Sequence, residues 1–336
     1  MAVNQYYVDP AIAGNSGTGT TGDPFGDLQY ALNTVTPRAS GLGDQFNIKA
    51  GTAEILAAVI SLATYGTPTT TAPLIIKGYT STANDGGVGE IDCNGGAGIP
   101  SAIIHLRDLY IHNGGSSTLV TQTSHCSIKR CKVANTSGTG ILAALSVVSG
   151  NEIADCGTGV TAGGATYIYG NYFKPGGVRN FTNAIIASST GATILRNILS
   201  IGTSGNGILL TSSNNRLVNN SIFSSSSTGD GITTNNAANW SGAAILNNII
   251  EGFSGTGGAG FAFFNATARP AEYSGNAVYN CTTAYENPGV IADIDDVDNE
   301  TLGASPFAKS GSDTFANRFV YFAPVDTGNV YGGAIQ

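Results

Sequence analysis

The sequence of 336 residues predicts an all-β solenoid, a coil of short parallel strands in which each turn packs on the next. The main observation is a seven-residue frame that recurs eight times, with its centres 20 to 28 residues apart. A period in this range is typical of solenoids, whose repeats bury their apolar faces only against their neighbours. The eight central positions, called the marker column below, are Leu109, Cys131, Asn151, Asn171, Asn197, Asn220, Asn248 and Asn276.

Two further columns support the repeat. The residues three before and two after every marker are apolar or aromatic, as with Ile194 and Leu199 around Asn197. Eight to twelve residues after most markers comes a small residue followed by an apolar one, for example Gly207 and Ile208. β-Branched residues, alternation and Gly/Asn/Ser turns favour strands over helices. The expected unit is therefore a turn of short strands, stacked about 4.8 Å from the next.

The asparagines of the marker column have a structural explanation. A buried turn leaves backbone groups without partners, and an Asn side chain offers two donors and an acceptor. Stacked Asn side chains can also bond to one another as an amide ladder. The alternative is that Asn merely tolerates the left-handed backbone of a turn. Under both interpretations the column is structural and not catalytic.

Composition excludes several classes of protein. Charged residues make up 11% of the chain, against about 25% in ordinary globular domains, so the surface must consist largely of Ser, Thr, Asn and Gly. Such a surface suits hydrogen bonding to sugars or packing in a crowded assembly. The net charge of −8, with 14 Lys and Arg, argues against nucleic-acid binding. No run of eighteen apolar residues predicts a membrane span.

The chain start and the cysteines give two more expectations. Residues 1–8 contain neither a basic n-region nor an apolar h-region, so no signal peptide is predicted, and whether one was removed stays open. The five cysteines are odd in number and form no C-x-x-C pair. Since Cys131 replaces an Asn of the inward column, buried free thiols are expected rather than disulfides.

The predicted organisation is one repeat region with a cap at each end. Residues 1–52 form an N-terminal strand and helix cap, 53–100 the first coils, 101–287 the repeats and 288–336 a C-terminal cap. Within the first cap a short helix is expected over residues 25–35, because Phe25, Leu28, Leu32 and Val35 fall on one helical face. Caps protect the open ends of solenoids. The whole coil should have about ten turns and a length of roughly 50 Å.

Several segments resemble right-handed parallel β-helix proteins of the pectate-lyase-like superfamily. They are YYVDP at 6–10, DPF at 23–25, LQYAL at 28–32, KAGT at 49–52, LIIKGY at 74–79, EIDCNG at 90–95, LGASPF at 302–307 and GGAIQ at 332–336. The resemblance implies a right-handed coil. It leaves the function open, because the superfamily includes polysaccharide lyases, glycoside hydrolases, epimerases and non-enzymatic bacteriophage spike and decoration proteins.

The resemblance also directs the search for a site. Its lyases use a Lys or Arg base with a cation such as Ca²⁺ that neutralises the uronate, and its hydrolases use clustered carboxylates. In this chain one outward face collects aromatics and both signs of charge in register. We predict it as the ligand- or partner-binding surface: Tyr110, Arg130, Lys132, Glu152 and Tyr172. The alternative is a ladder of ordinary cross-strand pairs, Arg130 with Asp108 and Lys132 with Glu152.

Other candidates are weaker. The acidic run at 293–300 could hold Ca²⁺ but fails the EF-hand spacing, so a solvated loop is the preferred interpretation and no cofactor is assigned. His105, His112 and His125 do not share a column, which argues against a metal site. Trp240 lies in an extra-long turn and is either a binding protrusion or a hydrophobic plug.

Two main functional hypotheses follow. The first is a non-enzymatic virion protein, a phage-type spike, fibre or capsid decoration, trimeric and glycan-binding, with other virion proteins or a cell-surface glycan as partners. Low charge and the lack of a convincing catalytic group favour it. The alternative is a secreted carbohydrate-active enzyme, a polysaccharide lyase acting on an acidic glycan. A bacterial surface adhesin is a third hypothesis.

Overall fold

The computed structural model describes residues 4–37, 43–96, 98–122, 124–236, 240–262, 270–286 and 300–301. The chain divides into two compact units, residues 1–151 and 152–336. The division falls inside the repeat region of the sequence. The expected C-terminal cap, including the acidic run at 293–300 and the closing segments at 302–307 and 332–336, lies outside the described residues except for 300–301.

The first unit consists of strands and one described helix. In chain order its elements are β1 (Asn4–Val8), α1 (Leu28–Thr34), β2 (Asp44–Lys49), β3 (Ala53–Ile55), β4 (Leu74–Tyr79), β5 (Gly89–Asp92), β6 (Ile104–Arg107), β7 (Leu109–Gly115), β8 (Val120–Gln122), β9 (Ser127–Lys129), β10 (Lys132–Ala144) and β11 (Val147–Ser149).

In the second unit all described elements are strands. They are β12 (Glu152–Gly163), β13 (Tyr167–Tyr169), β14 (Tyr172–Lys174), β15 (Asn183–Ala187), β16 (Thr193–Leu195), β17 (Ile198–Ile201), β18 (Asn206–Leu210), β19 (Arg216–Val218), β20 (Ser221–Ser224), β21 (Ile232–Thr234), β22 (Ala244–Leu246), β23 (Ile249–Glu251), β24 (Ala259–Ala262), β25 (Glu272–Ser274), β26 (Ala277–Tyr279), β27 (Thr283–Glu286) and β28 (Glu300–Thr301).

Each unit stacks its strands in three parallel sets. The first sheet, before the marker, runs β1-β2-β4-β6-β9-β11 in one unit and β13-β16-β19-β22-β25 in the other. The second sheet, after the marker, runs β3-β5-β7-β10 and β12-β14-β17-β20-β23-β26-β28. The third pairs β8 with β10, and β12-β15-β18-β21-β24-β27. The parallel β-solenoid predicted from the repeat is confirmed in both units.

The core consists of the columns that the sequence marks. Ile194 of the first sheet, Leu199 of the second and Ile208 of the third are fully buried, and each pairs in register with its counterparts on neighbouring turns. The small residue of the third column is needed because a Cβ at Gly207 would collide with Ile222 and with the Gly231 carbonyl. The interior is therefore too narrow for a side chain at this position.

The corner between the first and second sheets is built from two consecutive residues. The residue before each marker has a left-handed backbone, for example Arg196 with φ +53°, so the left-handed position is not the marker itself. The marker side chain points inward. Asn220 Oδ1 accepts hydrogen bonds from both the backbone N–H and the side-chain amide of Asn197, at 3.1 and 3.0 Å. The same pattern continues from Asn171 to Asn276, which confirms the asparagine ladder.

The predicted N-terminal helix is present as α1. Asp27 is its N-cap and accepts a 2.6 Å hydrogen bond from the Tyr30 backbone. Leu28 and Leu32 are buried on the helical face as predicted. The helix is shorter than expected, however, and Phe25 is buried outside it, before the N-cap, in a bridge to Val8. The Leu28 backbone N–H donates to Glu54 at 3.1 Å, and burial raises the pKa of Glu54 to about 7. This bond ties the start of the helix to β3.

Candidate functional site

Tyr110 and Lys132 lie side by side on the outer face of the second sheet. They follow the markers Leu109 and Cys131 directly, and strand alternation turns them outward while Ile111 and Val133 enter the core. The two residues are register partners in β7 and β10. Lys132 Nζ lies 5.0 Å from the centroid of the Tyr110 ring, a cation–π distance. The two residues are thus neighbours in register, as the spacing of the repeat predicts.

Two further side chains join them that the sequence did not assign to this face. The His112 ring stacks on the Tyr110 ring at 4.4 Å between centroids and 21° between planes. His112 Nε2 is 2.9 Å from Glu90 Oε1. Glu90, Tyr110, His112 and Lys132 form what we call the outer cluster. The spacing of Tyr110 and His112 along β7 could have shown their common face. Glu90, however, lies in β5, on a turn of the coil that comes before the first residue of the marker column.

The outer cluster is accessible but already organised. The Glu90 side chain is 37% exposed and that of His112 is 14% exposed. Beside them Asp92, the register partner of His112, accepts a 2.8 Å hydrogen bond from the Asn113 amide. Together the carboxylates of Glu90 and Asp92 outnumber the Lys132 ammonium, so these groups give the face no excess of positive charge.

Arg130 belongs to a different arrangement at the corner. Its Nε and Nη2 donate to the two oxygens of Asp108 at 2.7 and 2.9 Å. Lys77 Nζ approaches the same carboxylate at 3.6 Å and donates to Asn84 at 2.7 Å. The Asp108 carboxylate raises the pKa of Arg130. The cross-strand pair between Arg130 and Asp108 is confirmed, and it engages the guanidinium that a ligand would need.

Glu152 and Tyr172 lie in the second unit and are register partners in β12 and β14. Glu152 is partly exposed, but Tyr172 is fully buried. The expectation of an outward Tyr172 ring that stacks on a sugar is therefore wrong. Its column explains the burial: the positions in register on the following turns are also buried and mostly apolar. These are Ile198, Ser221, Ile249 and Ala277.

The weaker candidates resolve into structural roles. Trp240 is fully buried, so the plug interpretation replaces the binding protrusion. His105 Nδ1 lies 2.9 Å from Ser127 Oγ, and burial lowers its pKa. Within the described ranges, no three His, Cys, Asp or Glu side chains are grouped so as to hold a metal ion. The described part of the chain also contains no helix long and apolar enough to cross a membrane.

The cysteines are free thiols, as predicted. Cys93, Cys126, Cys131 and Cys156 are buried, and Cys281 is partly exposed. Burial raises the pKa of Cys93 and of Cys131 to about 12. These thiols stay protonated at neutral pH and have no catalytic character.

Solved structures show the same fold. No protein-family model and no curated protein matches the sequence. XylC in complex with xylose aligns over 92% of this chain and 88% of that chain, with a TM-score of 0.58 and 8% identity. An alginate lyase from Paenibacillus sp. str. FPU-7 aligns over 82% and 95%, with a TM-score of 0.54 and 12% identity. ORF18 of Geobacillus virus E2 aligns over 90% and 62%, with a TM-score of only 0.39 and 10% identity. At these identities the likeness establishes a parallel β-helix fold and nothing finer.

Proposed function

We propose that this protein is a β-helical glycan-binding protein and that the outer cluster of the first unit is its ligand site. One observation carries the proposal. Four side chains that can bond to sugar hydroxyls are held in a row by contacts with one another, at 2.9 Å (Glu90 to His112), 4.4 Å (His112 to Tyr110) and 5.0 Å (Tyr110 to Lys132). Groups fixed before the ligand arrives lose little entropy on binding.

The chemistry of the outer cluster suits a neutral glycan. A sugar hydroxyl both donates and accepts, and the cluster offers a carboxylate acceptor, an ammonium donor and two groups that can do either. Two carboxylates, Glu90 and Asp92, stand beside the single ammonium of Lys132. A polyuronate would meet these negative charges as well as the net charge of −8 of the whole chain. The Tyr110 ring is covered on at least one side by His112, so hydrogen bonding contributes more than ring stacking.

Affinity electrophoresis tests the proposal. The full chain is run through gels that contain xylan, galactan, dextran, alginate or polygalacturonate. Wild-type protein should be retarded by at least one neutral polysaccharide. Lys132→Ala and His112→Gln should weaken the retardation about tenfold or more, which corresponds to about 1.4 kcal/mol. Arg216→Ala is the matched control, because Arg216 is an exposed strand cation of the second unit. Retardation that is unchanged in both cluster variants would refute the assignment.

Lyase activity on an acidic glycan is the second candidate. It is favoured by the contact between His112 and Glu90, since an imidazole oriented by a carboxylate is a common general base. Lys132 would then neutralise the uronate. Its weakness is that Arg130, the other cation proposed for this role, is bonded to Asp108. Incubation with alginate and polygalacturonate would generate the absorbance of unsaturated products, and Lys132→Ala should abolish it. A flat absorbance trace with every uronate would dismiss this candidate.

We further propose that the protein uses this binding as a non-enzymatic virion component, a spike, fibre or capsid decoration assembled as a homotrimer. The low charge and the Ser/Thr/Asn/Gly surface support this setting over the secreted or cell-surface alternatives. Sedimentation equilibrium provides a first test. The trimer predicts a mass three times that of the 34.0 kDa chain, and a monomer at all concentrations would contradict it.

A further inference from the structure

A second concave site lies in the first unit, away from the outer cluster. It is an open cavity of about 410 Å³ at the ends of β1, β2 and β4, and residues of the loop after β1 also line it. Its volume falls in the range of about 300–1,000 Å³ typical of small-ligand sites. No residue of the outer cluster lines it.

Part of the cavity wall is aromatic and aliphatic. The rings of Tyr7 and Tyr79 meet edge to face, with 5.4 Å between centroids and 79° between planes. Ile12 and Pro24 line the same cavity. Aromatic surfaces of this kind pack against the C–H groups of a sugar ring. The Tyr7 hydroxyl donates to Gln5 Oε1 at 3.4 Å, and its oxygen can still accept from a sugar hydroxyl.

The polar part of the wall is charged but balanced. Lys49 Nζ lies 2.6 Å from Asp9 Oδ2, and Asp9 Oδ1 accepts a 3.1 Å hydrogen bond from the Ala11 backbone. An ammonium has three donors and a carboxylate about four acceptor positions, so both groups can make further bonds. Because the two charges cancel, the cavity has no reason to prefer an anion or a cation.

Tyr79 adds a polar group without a protein partner. The residue is only 5% exposed, and its hydroxyl makes no hydrogen bond within the described part of the chain. Burial, followed by the negative charge of Asp9, raises the pKa of Tyr79 to about 12, so the hydroxyl keeps its proton at neutral pH. Because Tyr79 lines the cavity, its hydroxyl can donate to and accept from a ligand there.

We propose that this cavity binds one neutral sugar ring, with its C–H face against Tyr7 and Tyr79 and its hydroxyls bonded to Lys49, Asp9 and the Tyr79 hydroxyl. A phosphate or uronate would meet the Asp9 carboxylate. A purely apolar ligand would strip water from the ion pair without replacing its hydrogen bonds. The inference shares no residue with the proposed glycan face and stands or falls separately from it.

Ligand-observed NMR on the full chain tests the cavity. The probes are glucose, galactose, mannose, xylose and N-acetylglucosamine, with glucuronate as the charged comparison. At least one neutral sugar should bind with a Kd of about 1 mM. Tyr79→Phe removes one oxygen and keeps the ring, and Lys49→Ala removes a partly exposed side chain. Both should weaken binding at least about fivefold. Tyr167→Phe makes the same chemical change at an exposed tyrosine of the second unit and should bind like wild type.

The outcomes separate the two sites. Lys132→Ala should leave monosaccharide binding by the cavity unchanged, while Tyr79→Phe should leave polysaccharide retardation by the outer cluster unchanged. Thermal unfolding shows whether each variant is folded. If Tyr79→Phe does not fold, the binding measured for Lys49→Ala tests the cavity assignment. The cavity assignment is overturned if no neutral sugar binds, if glucuronate binds more tightly than every neutral sugar, or if both cavity variants bind like wild type.

Discussion

The marker column forms the corner between the first and second sheets with different residues and hydrogen bonds in the two units. In the second unit it is an unbroken series of asparagines. From Asn197 to Asn276 each Oδ1 accepts two hydrogen bonds from the marker one turn before. In the first unit the column begins with Leu109 and Cys131 before reaching Asn151. There the Cys131 sulfur takes the amide position and accepts from the Leu109 backbone. Asn151 Oδ1 in turn accepts from the Cys131 backbone at 2.8 Å.

The comparison distinguishes the hydrogen bond that both units share at the corner from the amide–amide bonds between neighbouring asparagines. Both units supply an inward acceptor for the backbone N–H of the preceding marker. The side-chain amide bond between markers is added only where two asparagines are adjacent. In the first unit the outside of the corner carries the Asp108, Arg130 and Lys77 network instead. At Leu109, which has no side-chain acceptor, the N–H of its register partner Gly89 donates to the Asp108 carbonyl instead. We therefore expect the full amide ladder of the second unit to be an additional source of stability.

The largest expected effect concerns the Cys131 thiol. Burial raises its pKa from an ordinary value of 9.0 to about 12, so at pH 8 its thiolate fraction should fall about a thousandfold. Alkylation should be correspondingly slow in the native protein. All five thiols should react in denaturant without reductant. A count below five would reveal disulfides or modified cysteines.

The raised pKa of the Cys131 thiol also makes the free energy of unfolding depend on pH. Below pH 9 the Cys131 thiol is protonated in both the folded and the unfolded state, and its contribution is fully present. Between pH 9 and about 12 only the unfolded state releases the proton, so stability should be lost as pH rises through this window. Cys131→Ala should reduce this part of the alkaline loss, which urea titrations at pH 8 and pH 10.5 would measure. Equal pH slopes in the two proteins would contradict the assignment.

Asn220→Leu should break the ladder in the second unit. It removes the acceptor of the Asn197 backbone and amide N–H groups, as well as the donor to Ile194 and Asn248. Buried groups that lose their partners cost about 1–3 kcal/mol. We expect a loss near the upper end of that range in denaturant unfolding. A midpoint equal to that of wild type would show that Asn220 is not a buried ladder member.

Exchanging the marker types between the two units tests whether the two corners differ in their hydrogen bonds. Asn220→Cys keeps a weak acceptor but loses the amide donor, and should cost about 1–2 kcal/mol. Cys131→Asn offers an added donor towards Asn151 and should change stability by less than about 1 kcal/mol. The two substitutions are matched in chemistry and opposite in direction. Equal losses in both would mean that the two corners do not differ as described.

The smallest loss of stability should come from removing the exposed Arg130 side chain on the outside of the corner. Arg130 is 62% exposed in its side chain and Asp108 only 7%. Removing Arg130 leaves Lys77 within 3.6 Å of the carboxylate. Arg130→Ala should therefore cost less than about 1 kcal/mol in urea unfolding at physiological ionic strength. A loss of several kcal/mol would instead assign the guanidinium a central structural role.

The periodic parts of this molecule were predictable from sequence, and the parts built from single contacts were not. The columns around Ile194, Leu199 and Ile208 follow from spacing alone, because each repeat must bury the same face. Tyr172 was misassigned because alternation indicates an outward direction but not whether that face is covered. The contact between Glu90 and His112 joins residues 22 apart in sequence, and Glu90 lies before the first marker, so the repeat does not predict it. The cavity lined by Tyr7, Lys49 and Tyr79 draws on the ends of three strands, which no local pattern brings together.

Glycan binding by the outer cluster is the central proposal for this protein, and one NMR titration tests it directly. The chain has only three histidines, His105, His112 and His125, so each imidazole can be assigned in a proton NMR spectrum by a His→Gln variant. The full chain is titrated with an oligosaccharide of whichever neutral polysaccharide retards it most. We predict that the His112 resonance shifts in step with binding, that His105 and His125 stay in place, and that Lys132→Ala greatly weakens the response. An unmoved His112 resonance while the oligosaccharide is bound would contradict the assignment of this face.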